Sequence, residues 1–328
     1  KLQPALRDVL QAGRWENIVN AYRQSVRFGT GGIRAMMAFD FESIKKMYEE
    51  GIGAPILKGP NTINDILLLL TSVGVAQFGK DQSPPFSRVV IGYDSRIRGE
   101  DFAHIVARLF LHFGYTVYVF DEPCPYPEVT FAIPYKEIKA DVGIFISASH
   151  NDYRYNGYKL SCSNGSQFDP KERDEMYEKY IAKAMPDDIQ LADLATAPRD
   201  RLIVLGGETL QTDKLGPDRE VINLHKAHAE HVLSFLMMKD LATKQAESAD
   251  PLQIAYCAFH GAGRRAVPRL LKEVGFQDAN VHVITEGGLN DLNGLFPSFC
   301  SDPGHEQQPD PGDPRAGAIR AFDASWGW

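Results

Sequence analysis

Apolar and polar positions change their spacing repeatedly along the chain. Three short β-branched runs predict buried strands: Arg88–Tyr93, Thr116–Phe120 and Asp141–Ser147. Apolar residues at helical spacing predict helices before and between these strands: Thr62–Phe78, Glu100–Phe113 and Pro125–Glu137. This alternation of strands and helices predicts a parallel sheet that is covered by helices on both faces.

The alternation resumes after a polar connection at Pro186–Arg201, where we place a domain boundary. Further strands are predicted at Leu202–Leu205, Gln253–Phe259 and Asn280–Thr285. Further helices are predicted at Pro170–Ala184, Pro217–Met238, Arg265–Val274 and Arg315–Ala324. The two alternations predict an α/β chain of two consecutive mixed-sheet α/β/α sandwich domains, 1–200 and 201–328. Because no strand follows the last predicted helix, we expect the second domain to be truncated.

Composition limits the classes of function. The formal net charge of −8 argues against a surface for nucleic acid or an anionic membrane. The longest apolar run, Ile66–Leu70, is too short to span a bilayer, and Lys1–Asn20 carries no secretory signal. Residue 1 is not Met, so the natural start is expected elsewhere. The 4 widely separated cysteines predict reduced thiols in a cytoplasmic protein, with neither a disulfide framework nor a zinc site.

The segment Ile146–Asn151 is the first candidate for chemistry. It places Ser149 in a polar loop after an apolar strand, with His150 beside it and Lys159 ten residues on. Open α/β sheets place their ligands at the carboxyl ends of strands. A hydroxyl surrounded by donors and cations there is suited to carrying a phosphoryl group. An ordinary strand-to-loop turn is the alternative interpretation, since Ser and Asn favour turns.

Two other segments could bind an anion. Phe28–Arg34 contains Gly29, Gly31 and Gly32, whose backbone N–H groups could line an anion, and Arg34 adds a cation. A flexible turn is the alternative. Asp94–Arg98 follows the first clear strand. Arg96 and Arg98 could hold an anion or brace the serine loop, or an Asp–Arg pair could cap the next helix.

Three further sequence patterns could indicate other functions. Gly261–Ala266 matches Gly-x-Gly-x-x-Ala, with Glu286 positioned for a ribose, so dinucleotide binding stays open as an alternative to a packing turn. The histidines His225, His228 and His231 lack the spacing of a metal helix, and we expect a solvated helical face. A serine hydrolase is disfavoured, because the Gly-x-Ser-x-Gly elbow is missing.

The motifs occur together in the order of one family. The chain resembles the α-D-phosphohexomutases (phosphoglucomutases and phosphomannomutases) over nearly its whole length. The matching segments are the Gly29–Arg34 loop, the Gly92–Arg96 strand end, and the phosphoserine loop Ser147–Asn151 with Asn156–Lys159. The Phe28–Thr30 opening, the Phe259–Gly263 turn and Phe296–Pro297 are most similar to the branch with phosphoglucomutase-2, phosphopentomutases and glucose-1,6-bisphosphate synthase.

The resemblance implies roles for individual residues. Ser149 would be the phosphorylated serine, His150 and Lys159 would steady the transferring group or move the hydroxyl proton, and Arg34 would lie beside the phosphoserine. Residues implied to bind substrate or phosphate are Gly31, Gly32, Arg96, Asn151 and Asn156. The family also implies Mg²⁺ bound through the phosphate on Ser149, glucose 1,6-bisphosphate as activator, and a monomer or homodimer whose partner is a small phosphosugar.

Two departures from the family pattern stand out. Asp152 replaces a proline after Ser-His-Asn, and we expect its carboxylate to point away or to pair with Arg154. The metal loop Asp-x-Asp-x-Asp-Arg is missing, and Asp310–Arg315 is a poor substitute because of its two prolines. The sequence therefore predicts an amino-terminal portion of a larger enzyme, inactive or very weak as it stands.

The predicted function is a phosphosugar mutase that interconverts a sugar 1-phosphate and 6-phosphate, or a pentose 1- and 5-phosphate, through a phosphoserine and a bisphosphate. A glucose-1,6-bisphosphate synthase of the same family is an alternative. Two alternatives from other classes are a nucleotide-dependent oxidoreductase that uses the Gly261 turn, and a non-catalytic relative that only binds phosphosugars.

Overall fold

A mixed sheet of seven strands organises the fold. The computed structural model describes residues 2–29, 31–207 and 213–296. The strands of this sheet are β1 (Gly32–Met36), β2 (Arg88–Tyr93), β3 (Thr116–Phe120), β4 (Val142–Ile146), β5 (Tyr155–Cys162), β6 (Leu202–Gly206) and β7 (Glu220–Asn223). Across the sheet they lie in the order β1-β5-β4-β2-β3-β6-β7. Strands β8 (Ile254–Tyr256) and β9 (Val281–Val283) form a separate parallel pair.

The strand directions explain where the serine loop lies. β4, β2 and β3 pair in parallel, as the alternation predicted, and β6 and β7 extend the parallel set. β5 instead returns antiparallel to β4, with Phe145 opposite Lys159, and β1 pairs antiparallel with β5. A parallel return would need a crossover of about a dozen residues or more. The short segment 147–154 can only form a hairpin, so the serine loop is the turn between β4 and β5.

Helices cover both faces of the sheet, and the predicted α/β class is confirmed. They are α1 (Leu2–Gln11), α2 (Trp15–Tyr22), α3 (Phe41–Glu50), α4 (Asp65–Lys80), α5 (Gly99–His112), α6 (Tyr126–Ala132), α7 (Pro170–Lys179), α8 (Leu224–Ser234), α9 (Lys239–Ala246) and α10 (Gly263–Val274). Asn64 fixes the start of α4, because its side chain accepts a hydrogen bond of 2.9 Å from the N–H of Leu67.

Two hydrophobic cores lie on opposite faces of the sheet. Val89 and Ile91 of β2 face the core that contains α3, α4 and α5, whereas Val90 faces the core that contains α6. Both sides of these strands are buried, which explains why their sequences are continuously apolar rather than alternating. Tyr158 ties β5 to α4, since its hydroxyl bonds Ser72 at 3.1 Å.

The first sheet extends further along the chain than the sequence suggested. The predicted strand Leu202–Leu205 was expected to open the second domain, but β6 pairs with β3 and β7 pairs with β6. The polar connection does not lead away, because Arg108 of α5 donates to the carbonyl of Ala192 at 2.8 Å. The boundary between the two domains stays a prediction.

The helix predicted at Pro217–Met238 is wrong in its extent. Residues 220–223 form β7, and α8 begins at Leu224 and ends at Ser234, followed by α9. Asn223 caps α8, because its side chain accepts a hydrogen bond from the N–H of Lys226 at 3.1 Å. The helical spacing of apolar residues did not reveal that a strand ends and a helix begins at this position. The helix predicted at Arg315–Ala324 lies outside the described residues.

The helices and the cysteines of the described chain bear on the class of protein. Among residues 2–29, 31–207 and 213–296, every helix is too short or too polar to cross a membrane. Cys124, Cys162 and Cys257 are free thiols, and Cys300 lies outside the described residues.

Gly32 provides a test of how β1 joins the sheet. It has φ of 132°, and a Cβ added there would lie 2.0 Å from the carbonyl oxygen of Tyr158 on β5. We expect Gly32→Ala to cost more than about 3 kcal/mol of unfolding free energy, because the backbone of β5 cannot move aside.

Gly13→Ala is the matched control for this experiment. Gly13 also has a positive φ, 68°, but a Cβ there would meet nothing within 4 Å. Its cost should be limited to about 1–2 kcal/mol of backbone strain. Urea unfolding of both variants measures the difference, and equal losses would contradict the close approach of β1 and β5.

Candidate active site

Ser149 lies at the tip of the β4–β5 turn in an unusual backbone conformation. Its φ is 60°, in the left-handed region, and its side chain is exposed. A non-glycine residue in this region costs about 1–2 kcal/mol, so surrounding contacts must hold it there. One such contact is local, because the N–H of Ser149 donates to Ser147 Oγ at 2.9 Å.

The guanidinium of Arg96 holds the rest of the turn. It is 4% exposed and donates hydrogen bonds to four main-chain carbonyls: Ser149 and Asn151 at 2.6 Å, Asp152 at 2.9 Å and Tyr155 at 3.0 Å. The ring of Phe296 covers it at 5.1 Å from the ring centroid. Of the roles considered for Arg96, the structure therefore shows bracing of the serine loop.

Asp94 completes this network from the end of β2. Ser147 Oγ donates to Asp94 Oδ2 at 2.5 Å, and Arg96 Nε lies 3.2 Å from the same oxygen. Removal from water raises the pKa of Asp94, and the nearby Arg96 opposes that rise. The expected alternative, a pair that caps the next helix, is wrong, because the N-cap residue of α5 is Arg98 and its side chain makes no capping bond.

Arg34 approaches the turn from β1. Its Nη1 donates to Asn151 Oδ1 at 2.8 Å, and its side chain is exposed. Arg34 pairs with Gly157 of β5 in the antiparallel register, which places β1 beside the serine loop. The structure thus brings the guanidinium of Arg34 to Asn151 of the serine turn, although the two residues are far apart in sequence.

The glycine loop before β1 is engaged internally. The N–H of Gly29 donates to the carbonyl of Gly32 at 2.7 Å, and the reverse bond is 3.4 Å. These two N–H groups therefore close the loop. They do not line an anion, which is the role that the sequence suggests for them. Gly31 lies close to Gln167, whose Nε2 would be 2.9 Å from an added Cβ, and Thr30 lies outside the described residues.

Lys159 lies on β5 over two aromatic rings. Its Nζ is 4.9 Å from the ring centroid of Tyr126 and 5.9 Å from that of Phe145. Burial lowers the pKa of Lys159; Asp94 opposes this shift, and Arg34 and Arg96 add to it. The charges that act on Lys159 are those of the serine loop, which associates this amine with the same site.

The remaining predicted residues have different surroundings. His150 is exposed and makes no hydrogen bond or ion pair with any residue that the structure describes. Asn156 is fully buried; its Oδ1 accepts from the N–H of Gly157 at 2.8 Å and its Nδ2 reaches the carbonyl of Ile97 at 3.4 Å. Asn156 therefore joins β5 to the Arg96 segment.

The departure at Asp152 is compensated as expected. Arg154 Nε lies 2.9 Å from Asp152 Oδ1 and Arg154 Nη2 lies 2.8 Å from Oδ2, a bidentate pair. The predicted pairing is confirmed, and it keeps this carboxylate occupied beside the serine turn.

The described residues around Ser149 do not form a magnesium site by themselves. The two carboxylates of the network, Asp94 and Asp152, are each paired with an arginine. Mg²⁺ in phosphate sites is usually held by one or two available carboxylates together with phosphate oxygens. Both carboxylates beside the serine turn are therefore already engaged by arginines.

Two features were missed or misjudged from sequence. Phe296 gave no local signal of its contact with Arg96, since the two residues are 200 positions apart in the chain. The solvated face expected for the histidines of α8 is wrong for two of them: His225 is 6% exposed and His228 is 8% exposed. Helical spacing alone could not show that α6 brings Glu128 against them.

Comparisons with known proteins agree with this geometry. Residues 26–186 match the family model described as phosphoglucomutase/phosphomannomutase, alpha/beta/alpha domain I. A phosphoglucomutase of Staphylococcus haemolyticus is 25% identical over 260 residues, covering 79% of this chain and 39% of that protein. A phosphoribomutase of Saccharomyces cerevisiae is 30% identical over 159 residues, covering 48% of this chain and 22% of its own length.

Solved structures show the same fold. A Thermus thermophilus protein assigned as a phosphomannomutase has a TM-score of 0.55 at 21% identity, over 83% of this chain and 48% of its own. The Paramecium phosphoprotein pp63/parafusin has a TM-score of 0.53 at 14% identity, over 84% of this chain and 45% of its own. This chain thus spans less than half the length of these relatives.

The serine turn, the motif order and the shared fold all lead to one conclusion. Residues 26–186 match the α/β/α domain I of the phosphoglucomutase/phosphomannomutase family, and the chain is similar to members of that family over the same sheet.

Proposed function

We propose that the protein carrying this chain is a phosphosugar mutase in which Ser149 is the phosphoryl carrier. The phosphoryl group would pass from Ser149 Oγ to a free hydroxyl of a sugar monophosphate, as the P–Oγ bond breaks and a P–O bond to the sugar forms. The bisphosphate would then turn over and return its other phosphoryl group to Ser149. The net reaction moves a phosphate between positions 1 and 6 of a hexose, or 1 and 5 of a pentose.

The observation that carries the proposal is the exposed hydroxyl of Ser149 on a turn that buried groups hold rigid. Arg96 donates to the Ser149 carbonyl at 2.6 Å, and Ser147 accepts from the Ser149 N–H at 2.9 Å. Phosphoryl transfer depends mainly on positioning and charge stabilisation. A turn that fixes its backbone from both sides, while it leaves the side chain in solvent, meets the first requirement.

The second requirement, charge stabilisation, would come from nearby cations. Arg34 is exposed beside Asn151, and Lys159 is half-buried in the field of Asp94. Both could approach the oxygens of a phosphate on Ser149, where charge-assisted hydrogen bonds are strong. His150 is exposed and would be available to take the proton of the attacking hydroxyl.

The family resemblance also implies Mg²⁺ and glucose 1,6-bisphosphate. Bound to a phosphoserine oxygen, Mg²⁺ would neutralise charge on the transferring group. Glucose 1,6-bisphosphate would load the serine before the first turnover. Both are part of the proposal, and the described residues contribute only Ser149 to the metal.

A bisphosphate synthase of the same family is the second candidate, because it would use the same phosphoserine. The oxidoreductase alternative loses support from the contacts of the glycine turn. The carbonyl of His260 accepts from Ser95 Oγ at 2.6 Å, and an added Cβ on Gly261 would meet the carbonyl of Ala258 at 2.8 Å. These contacts favour a packing role for the Gly261–Gly263 turn.

The proposal predicts that Ser149→Ala abolishes mutase activity in the complete gene product. Loss of the carrier oxygen should lower kcat by at least about a thousandfold, as for other covalent nucleophiles. Conversion of glucose 1-phosphate and of ribose 1-phosphate, with Mg²⁺ and glucose 1,6-bisphosphate present, measures the effect. Ser248→Ala, at an exposed position after α9, is the control and should retain full activity. Unimpaired turnover by Ser149→Ala would refute the proposal.

Arg96→Lys tests the positioning role of the guanidinium. A lysine cannot reach four carbonyls at once, so the turn should loosen and kcat should fall by about a hundredfold with little change in KM.

Arg98→Lys is the matched control, because Arg98 also donates to carbonyls, those of Met47 and Tyr48, away from the serine turn. Arg96→Lys should lose more unfolding free energy in urea, because its guanidinium is more deeply buried and makes more carbonyl bonds, and only Arg96→Lys should lose kcat. Equal kcat values would show that Arg96 contributes to stability alone.

A further inference from the structure

A group of potential metal ligands lies at the end of β3, away from the serine turn. Asp121 and Glu122 directly follow β3, and His225 lies in the first turn of α8. One ligand atom of each residue lies within 4.8 Å of the others. Strand β2 separates β3 from β4, so this group and Ser149 belong to different positions along the sheet edge.

The carboxylate of Asp121 has no adequate partner. Its side chain is 1% exposed, and neither oxygen accepts a hydrogen bond from the residues that the structure describes. His225 Nε2 lies 3.8 Å from Asp121 Oδ1, beyond hydrogen-bond distance. A buried carboxylate without hydrogen bonds is costly, so a cation bound there would stabilise it.

The imidazole of His225 is oriented by the carboxylates around it. Its Nδ1 lies 3.0 Å from Glu128 Oε2, and its Nε2 contacts Arg265 Nη2 at 2.5 Å. Nε2 is the ring nitrogen that faces Asp121 and Glu122, at 3.8 and 3.9 Å, while Nδ1 faces Glu128. A carboxylate that orients a histidine through its other nitrogen is the usual support of a metal ligand.

Arg265 supplies a positive charge to the group from α10. Its guanidinium contacts both Glu122 and His225, yet its side chain is 39% exposed. An exposed arginine at the edge of a buried carboxylate group can leave without unfolding the protein. Its place at the ligand atoms makes it a competitor of any bound ion.

A cavity gives access to the carboxylates. It has a volume of about 590 Å³, and its charged lining residues are Asp94, Arg96, Arg98, Glu100, Asp101, Asp121 and Glu122. Carboxylates outnumber arginines in this lining, which favours the entry of a cation.

We propose that Asp121, Glu122 and His225 bind one Zn²⁺ ion, which displaces the guanidinium of Arg265. Two carboxylate oxygens and one imidazole nitrogen suit Zn²⁺, whereas Mg²⁺ prefers oxygen ligands and retained waters. The wide spacing of the cysteines argued against a zinc site, but none of these ligands is a cysteine. The site would be independent of the magnesium implied for phosphoryl transfer.

Titration calorimetry of the full chain with ZnCl₂, after removal of metals with a chelator, tests this site. The wild-type chain should bind one Zn²⁺ ion with saturable heat. Asp121→Asn keeps the shape but removes the charge, and should weaken binding by at least about 30-fold. Glu230→Gln, at an exposed position of α8, is the control and should bind as the wild type does.

Arg265→Gln gives a result that a loss of folding cannot imitate. Removal of the competing guanidinium should tighten Zn²⁺ binding by about tenfold or more. Co²⁺ bound at the same site should give a visible absorption spectrum typical of a ligand set that contains nitrogen. Circular dichroism checks the fold of each variant. The proposal is overturned if neither the wild type nor Arg265→Gln binds Zn²⁺ stoichiometrically, if Asp121→Asn binds as well as the wild type, or if Arg265→Gln binds no more tightly.

Discussion

The conformation of the serine turn depends on one buried guanidinium. Arg96 leaves the end of β2 and donates to four carbonyls of the segment that joins β4 to β5. Each carbonyl would otherwise lose its hydrogen bond to water without replacement, and charged donors make the strongest such bonds. Without Arg96 nothing of comparable strength among the described residues would offset the left-handed backbone of Ser149.

The rest of the sheet arranges other groups around this contact. The antiparallel return of β5 brings Lys159 beside β4, and β1 adds Arg34 at the outer edge. From the far end of the described chain, Phe296 covers Arg96, and His260 accepts a hydrogen bond from Ser95. Residues beyond the first sheet therefore support the serine turn. The Gly261–Gly263 turn, which directly follows His260, belongs to this packing and does more than connect β8 to α10.

The sequence predicted well what local chemistry determines. The strand before Ser149 and its position at a strand end follow from a run of apolar residues and a polar loop. The role of Arg96 stayed open among three interpretations, because its partners are carbonyls, which have no sequence signal. The sequence did not predict the burial of His225 and His228, because this burial depends on Glu128 of α6. It did not predict the extent of the first sheet, because a polar connection can run across a helix of the same domain as well as lead to another domain.

The central claim is that this rigid turn presents Ser149 as a reversible phosphoryl carrier. The most direct measurement is peptide mass mapping of the complete gene product after incubation with glucose 1,6-bisphosphate and Mg²⁺. The account predicts one added phosphoryl group on the peptide that contains Ser149, removed again when excess glucose 1-phosphate is added. Sustained turnover by a protein that carries no phosphoryl group at Ser149 would contradict it.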